Sequence, residues 1–373
     1  MRRTQLMGLL LLVAILGVYS GTRLLLGAKQ LTTSGVDKRL PAGTTPASVA
    51  VLLPGSATSA RWEMDDRRFF QEVFTAAGIP YLITNAEGDA RIQQTQAEQA
   101  ITNGAQVLLL VNLDSGSGAA IIAAARKAGV KVIDYDRLTI EGPGADIYVS
   151  FDNVAVGRLM GETLAPIIDR LPVSQPRIVQ LNGSPTDNNA TLFRQGYFAV
   201  AQPYYAAGKW QLIADQAVPD WDNQQALVLY EQILTAAGNQ VDATFAGNDG
   251  LANSVIAALK SQGAAPIPLS GQDATVSGIQ NILAGWQTMT VYKPIKREVA
   301  AAAKVAIAML NGEVITSLAT ETINNGQREI PFIKLAPIAV TKDNIAETVI
   351  ADGLRTWAEI CVGEFAQYCP AAR

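Results

Sequence analysis

From Ser48 onward, short and almost wholly apolar runs alternate with longer stretches of helical period. The spacing predicts strands over 49–53, 81–83, 107–111, 131–136 and 147–151, separated by helices over 68–78, 90–104 and 118–129. In the first of these helices Phe69, Phe70, Val73, Phe74 and Ala77 share one side. The rhythm then restarts. Helices over 154–171, 191–208, 223–238, 251–263 and 276–285 interleave with strands over 177–181, 211–214, 243–246, 268–271 and 288–292, and a long Ala-rich helix follows over 295–311. Beyond Gly312 the pattern loosens to strand-like stretches over 330–335 and 338–340 and a short helix over 344–350. Strands with no polar face need cover on both sides, which is the condition of a parallel sheet wrapped in helices. Glycines at the ends of the helical stretches are the expected stops. The expected class is therefore α/β, with two doubly wound parallel-sheet lobes.

Composition narrows the function. With 49% hydrophobic and 17% charged residues the chain has the material for packed cores, and 373 residues suit two domains. Lys plus Arg at 29 against Asp plus Glu at 33 gives a net charge of -4, which argues against nucleic acid as partner, since phosphates call for a basic footprint. There is no histidine, so Ser-His-Asp and Cys-His catalysis and His-ligated metals are excluded, and two cysteines offer no zinc framework. No Walker-type loop and no G-x-G-x-x-G follows a strand, so no nucleotide cofactor is expected.

The N-terminus points to export. Arg2 and Arg3 precede an apolar run from Leu6 to Tyr19, which reads as a signal peptide, with an uncleaved membrane anchor as the alternative, over residues 1–29. Residues 30–47, rich in Thr, Gly, Ser and Pro, read as a flexible linker. The expected location is the periplasm or the outer face of the cytoplasmic membrane. In that compartment Cys361 and Cys369 are expected to form a disulfide closing a small C-terminal loop; two free thiols are the alternative.

In doubly wound sheets ligands bind beyond the carboxyl ends of the strands. Those positions hold Arg61-Trp62, Asn112 and Asp114, Asp136-Arg137, Asp152-Asn153, the run Gly183 to Asn189, Asp220-Trp221, Gly247-Asn248-Asp249, Gly271-Gln272-Asp273 and Tyr292-Lys293-Pro294. Carboxylates, amides and guanidinium groups match sugar hydroxyls, which donate and accept, while flat rings cover the C–H faces of a sugar. Trp62 and Trp221, one from each half, could sandwich a pyranose. Each feature also has a plainer reading. Asp152, Asn153 and Asp249 could cap helices, Gly183 and Gly271 could be turn residues, and either Trp could be a core packer. The ligand reading draws its force from recurrence at the same edge in both halves. The same residues admit a carboxylate glycosidase, with Asp136 and Asp273 as acid and nucleophile.

Five blocks carry a resemblance: Ile133-Asp134-Tyr135-Asp136-Arg137, Ser150-Phe151-Asp152-Asn153, Gly183 through Arg194, Gly271-Gln272-Asp273-Ala274 and Gln287 through Pro294. They resemble the D-xylose-binding branch of the type I periplasmic sugar-binding proteins of ABC importers, over about Val51 to Ile350. The resemblance implies two lobes joined by a three-stranded hinge. Residues 48–153 and 293–326 would form the first lobe, 154–292 and 327–355 the second, and 356–373 a C-terminal extension. It implies Arg61, Trp62, Asp136 and Arg137 as first-lobe contacts, Asn188, Asn189, Trp221, Asn248 and Asp273 as the second-lobe set, and Lys293 as a cleft lysine. The loop Pro54 to Ala60 departs from the pattern, lacking acidic residues before the Arg-Trp pair. The function implied is a monomeric carrier that binds a monosaccharide (D-xylose or D-glucose), delivers it to an ABC permease in the membrane, and does no chemistry on it. A membrane-tethered sugar sensor is the alternative within the same family logic. A repressor of the related class would need a helix-turn-helix ahead of Ser48, where the apolar segment stands instead.

Overall fold

A computed structural model describes residues 47–56 and 59–370. The expected export segment and most of the linker lie outside the described residues, and no described helix is long and apolar enough to cross a membrane.

The first half opens β1 (Val49–Leu53), α1 (Arg67–Ala77), β2 (Tyr81–Asn85), α2 (Ala90–Thr102), β3 (Val107–Leu110), α3 (Ser115–Lys127), β4 (Lys131–Tyr135) and β5 (Ile147–Phe151). The chain then crosses into α4 (Asn153–Ile168), β6 (Arg177–Asn182), α5 (Asn188–Ala206), β7 (Gln211–Ala217), α6 (Asn223–Ala236), β8 (Ala243–Ala246), α7 (Asp249–Ser261), α8 (Val276–Ala284) and β9 (Met289–Tyr292). It returns through α9 (Ile295–Leu310), β10 (Glu321–Asn324) and β11 (Glu329–Leu335), and ends with β12 (Ile338–Thr341) and the short α10 (Trp357–Ile360).

The first sheet has the order β10-β11-β5-β4-β3-β1-β2, parallel except for the edge strand β10. The second has β7-β6-β8 in parallel, extended through the single bridges Thr244–Leu269 and Gln272–Val291 to the antiparallel pair β9–β12. Residues 268–271, expected as a strand, therefore contribute only a bridge. In both sheets the first strand of the lobe lies between the second and third, so the strand order reverses there and opens a crevice at the carboxyl edge. All five residues of β1 are buried, as two-sided cover by helices requires. The polar residue after a strand is often the helix cap: Asp114 accepts from Ser117 N–H, Asp152 from Ala155 N–H and Asn248 from Leu251 N–H.

The expected lobe boundaries need one correction. Residues 327–335 do not join the second lobe: Phe332 to Leu335 of β11 pair in parallel with Tyr148 to Phe151 of β5, and β10 folds back on β11. The third crossing thus falls at Ala336-Pro337, not near Gly326. A strand-like pattern shows that a segment is buried in a sheet; which sheet has a free edge for it is a matter of tertiary packing. The final segment is not a loose appendage. Ile345, Val349, Leu354 and Ile360 are buried with Ile279 and Ile282 of α8 in a core continuous with that of the first lobe. A disulfide joins Cys361 to Cys369 there.

Candidate functional site

Both lobes send side chains into one crevice. Ser59, Arg61, Trp62, Asp136 and Arg137 come from the first lobe and Asp187, Asn189, Phe193, Trp221, Asn248, Gln272 and Asp273 from the second, with Lys293 at the second crossing. Trp62 and Asp273 line the same hollow, so the expected convergence of two strand-end sets is what the fold produces.

The local backbone is shaped for this. Seven non-glycine residues have left-handed φ among the described residues, and five of them, Asp136, Asp220, Trp221, Asp273 and Ala274, lie at or beside this crevice. Holding a Trp or Ala there costs energy that surrounding packing must offset, and such strain collects at sites that need a side chain aimed against its preference. Gly183 is required by close approach: a Cβ there would fall inside the Trp221 ring, while one at Gly247 would sit 3.1 Å from Trp221 Cζ3. Those two strand ends are thus the bed on which Trp221 lies, and Trp221 Nε1–H donates to Asp187 Oδ2 at 3.1 Å.

A buried charge network forms the floor. Arg61 leads a wide helical turn, Trp62–Asp66, ahead of α1. Its guanidinium donates twice to Asp66 (2.8 Å each), to Asp136 Oδ2 (2.8 Å) and to Glu298 Oε2 (3.1 Å). Lys293 Nζ reaches the same Asp136 oxygen at 2.8 Å, and Asn189 Nδ2 spans the lobes to Asp136 Oδ1 at 3.1 Å. Tyr148 and Ser150 hydroxyls hold the Asp136 carbonyl at 2.9 and 2.7 Å. Burial disfavours the Asp136 anion, but Lys293 and Arg61 overcome it and keep the carboxyl well below the usual range. Glu298 behaves in the opposite way. Burial and the neighbouring Asp136 charge push it well above the carboxylate range despite Arg61. Two cations, Arg61 and Lys293, thus face three buried acids, Asp66, Asp136 and Glu298, and burial pushes Asp66 up as it does Glu298.

At the rim, Arg137 Nε pairs with Asp187 at 3.0 Å across the lobes and Arg137 Nη1 donates to the Asn112 carbonyl at 3.2 Å. Asp273 Oδ2 accepts from Ser59 at 2.7 Å, and Oδ1 accepts from Gln272. Ser59 belongs to the loop that departs from the family pattern, and it reaches the site without an acidic residue. Behind the crevice Arg355 donates to both oxygens of Asp65 at 2.8 Å and to the Ala274 carbonyl at 3.1 Å, tying the Trp62 turn to the Asp273 turn.

One expectation needs correcting. Asn188 is not in the lining: it starts α5 partly exposed, while Asn189, one residue on, faces inward. Trp62 and Trp221 line the same pocket, and the Arg61 guanidinium lies 4.2 Å from the Trp62 ring centroid, against one face of that ring. Asp152 caps a helix, as its plainer reading had it, and Asn153 supports the site by donating to Asn189 Oδ1 at 2.8 Å. Ser59, Asp187, Phe193, Gln272 and Glu298 had not been singled out. Asp187 and Gln272 stood within the strand-end runs, so position could have found them; Glu298 is in a helix, where no strand-end rule points.

Residues 49–314 match the family described as a periplasmic binding protein domain. This chain belongs to that family. The D-xylose-binding periplasmic protein of Escherichia coli (strain K12) is 39% identical over 301 residues, covering 80% of this chain and 88% of that protein. The multiple sugar-binding periplasmic receptor ChvE of Rhizobium radiobacter is 30% identical over 320 residues, covering 82% of this chain and 90% of that protein. Among solved structures, a carbohydrate transporter solute-binding protein from Chloroflexus aurantiacus in complex with D-glucose superposes with a TM-score of 0.77 at 30% identity, covering 85% of this chain and 98% of that one. The periplasmic binding protein fold places its crevice between two lobes joined by three crossings, which is where the charge network, Trp62 and Trp221 of this chain lie.

Proposed function

We propose that this chain is an extracytoplasmic carrier that closes its two lobes over one neutral monosaccharide, an aldose of the xylose or glucose type, and presents it to a membrane permease. The observation that carries the reading is the crevice itself: amides, carboxylates, cations and indoles from both lobes converge on it. The cavity they enclose is only about 30 Å³, room for a water or two. A sugar ring therefore enters only when the lobes part, and its hydroxyls take over polar groups that now satisfy one another, such as Asp273 with Ser59 and Asn189 with Asp136. A ligand that bridges the lobes favours the closed form by its differential affinity for it, and a permease that reads the closed shape then distinguishes loaded from unloaded carrier. The relative named for D-xylose and the structural neighbour holding D-glucose support an aldose of this size.

The glycosidase reading fits poorly. A general acid must keep its proton near neutral pH, and Asp136 is held ionised by two cations.

The test is a thermal-shift panel of aldoses, because a ligand bound only by the folded state raises the melting temperature by mass action. One or two sugars are expected to shift it and the rest not. Asp273→Ala is expected to stay folded and lose sugar affinity by about 100-fold, the scale of a lost hydrogen-bonded charge. Unchanged affinity by calorimetry in that variant would remove Asp273 from the site.

A further inference from the structure

Outside the small pocket the crevice widens into a second cavity of about 570 Å³ between the same two lobes. Arg137 and Trp221 line both spaces and form the wall between them. We infer that this outer cavity is a second glycosyl subsite, so that the carrier accepts a neutral disaccharide with one ring in the inner pocket and the other beyond the Arg137–Trp221 wall. The inference rests on the monosaccharide reading and extends it.

The size lies within the usual range for ligand pockets, roughly 300–1,000 Å³. The chemistry repeats that of the inner site. Leu113 and Ala90 of the first lobe give an apolar patch for C–H faces, and the Trp221 indole lies opposite. Asp114, Asp220 and Gln224 supply acceptors and an amide for hydroxyls. The wall can open, because each of its members is held by one carboxylate. Asp187 takes both the Arg137 ion pair at 3.0 Å and the Trp221 N–H at 3.1 Å, and it sits on the second lobe while Arg137 sits on the first. Parting the lobes breaks that pair and joins the two spaces. The sign of charge selects the class of second ring. Asp114, Asp220 and Asp222 line the cavity against the single lining cation Arg137. An acidic sugar unit would meet a net negative lining, whereas a neutral unit would not.

The test is calorimetric titration of the full chain with D-xylose and D-glucose and with their β-1,4-linked dimers, xylobiose and cellobiose. Ala90→Trp and Gln224→Trp, one on each lobe, fill the outer cavity without replacing any residue of the inner pocket. At least one dimer is expected to bind within about tenfold of its monomer, and each Trp variant to weaken that dimer about tenfold or more while leaving the monomer unchanged. The monomer titration also reports that each variant is folded. A dimer ending in a uronic acid is expected to bind more weakly than its neutral counterpart. Monomer binding with no dimer binding, or Trp variants that weaken both alike or neither, would overturn the subsite and leave the monosaccharide reading intact. If neither monomers nor dimers bind the unmodified protein, the sugar reading falls together with the inference.

Discussion

Replacing Asp136 by Asn tests the charge balance beneath the pocket. Asp136 Oδ2 accepts from both Arg61 Nη1 and Lys293 Nζ at 2.8 Å, and Arg61 and Lys293 are 1% and 3% exposed. An amide oxygen can still accept one hydrogen bond, but the anion shared by two buried cations is gone. Breaking a buried pair from one side costs about 3–5 kcal/mol. The lower end is expected here, because Glu298 is adjacent to Arg61 and part of what raises its carboxyl is the charge of Asp136. Once that charge is removed, Glu298 can ionise and take its place. With the Glu298 carboxyl raised by burial, Glu298→Gln alone is expected to cost less than about 1 kcal/mol at neutral pH, as the exchange of one uncharged group for another would. The double variant should cost more than the sum of the two, by about 1 kcal/mol or more, since the reserve anion is then missing. Urea denaturation at pH 7, with the slope checked for constancy, measures all three. If Glu298→Gln alone costs as much as Asp136→Asn, Glu298 is ionised in the native state and the charge assignment is wrong. An additive double variant would show that Glu298 does not stand in for Asp136.

Asp134 is fully buried and holds the loop bearing Asp136 and Arg137 by accepting Thr139 N–H at 2.7 Å and Thr139 Oγ1–H at 2.9 Å. Burial, only partly offset by those bonds, pushes its carboxyl up to about 7. An unfolded Asp loses its proton near pH 4, so between these values the folded state binds more protons and this group's contribution to stability falls as pH rises, by roughly 4 kcal/mol. Asp134→Asn should flatten that stretch of the stability–pH curve measured by urea denaturation, and an unaltered slope would mean Asp134 is ionised throughout. Gly183→Ala should displace Trp221, costing about 1–3 kcal/mol in stability and weakening sugar binding by calorimetry; retention of both would mean the indole has slack at its bed.

Much of the site was legible because it obeys a rule that is local in sequence. Asp136-Arg137, Trp221, Asn248 and Asp273 each follow a strand or close a turn at the carboxyl edge, so periodicity located them without knowledge of the fold. Asn188 and Asn189 show where that resolution ends. Adjacent residues at a helix start point in different directions, and only the path of α5 decides which of them turns inward. Glu298 was beyond reach for another reason. It meets Arg61 across 237 residues of chain, on the buried side of an Ala-rich helix whose pattern reads as packing.

The strand and helix runs, the double α/β rhythm and the polar sets at the strand ends follow from the chain alone, because burial on one or both faces writes a period into neighbouring residues. The allotment of β11 to the first sheet, the reach of Arg355 to Asp65 and the upward shift of the Glu298 carboxyl do not. They depend on which surfaces meet after folding and on how deeply the resulting contacts are removed from water, and neither leaves a mark on the spacing of residues.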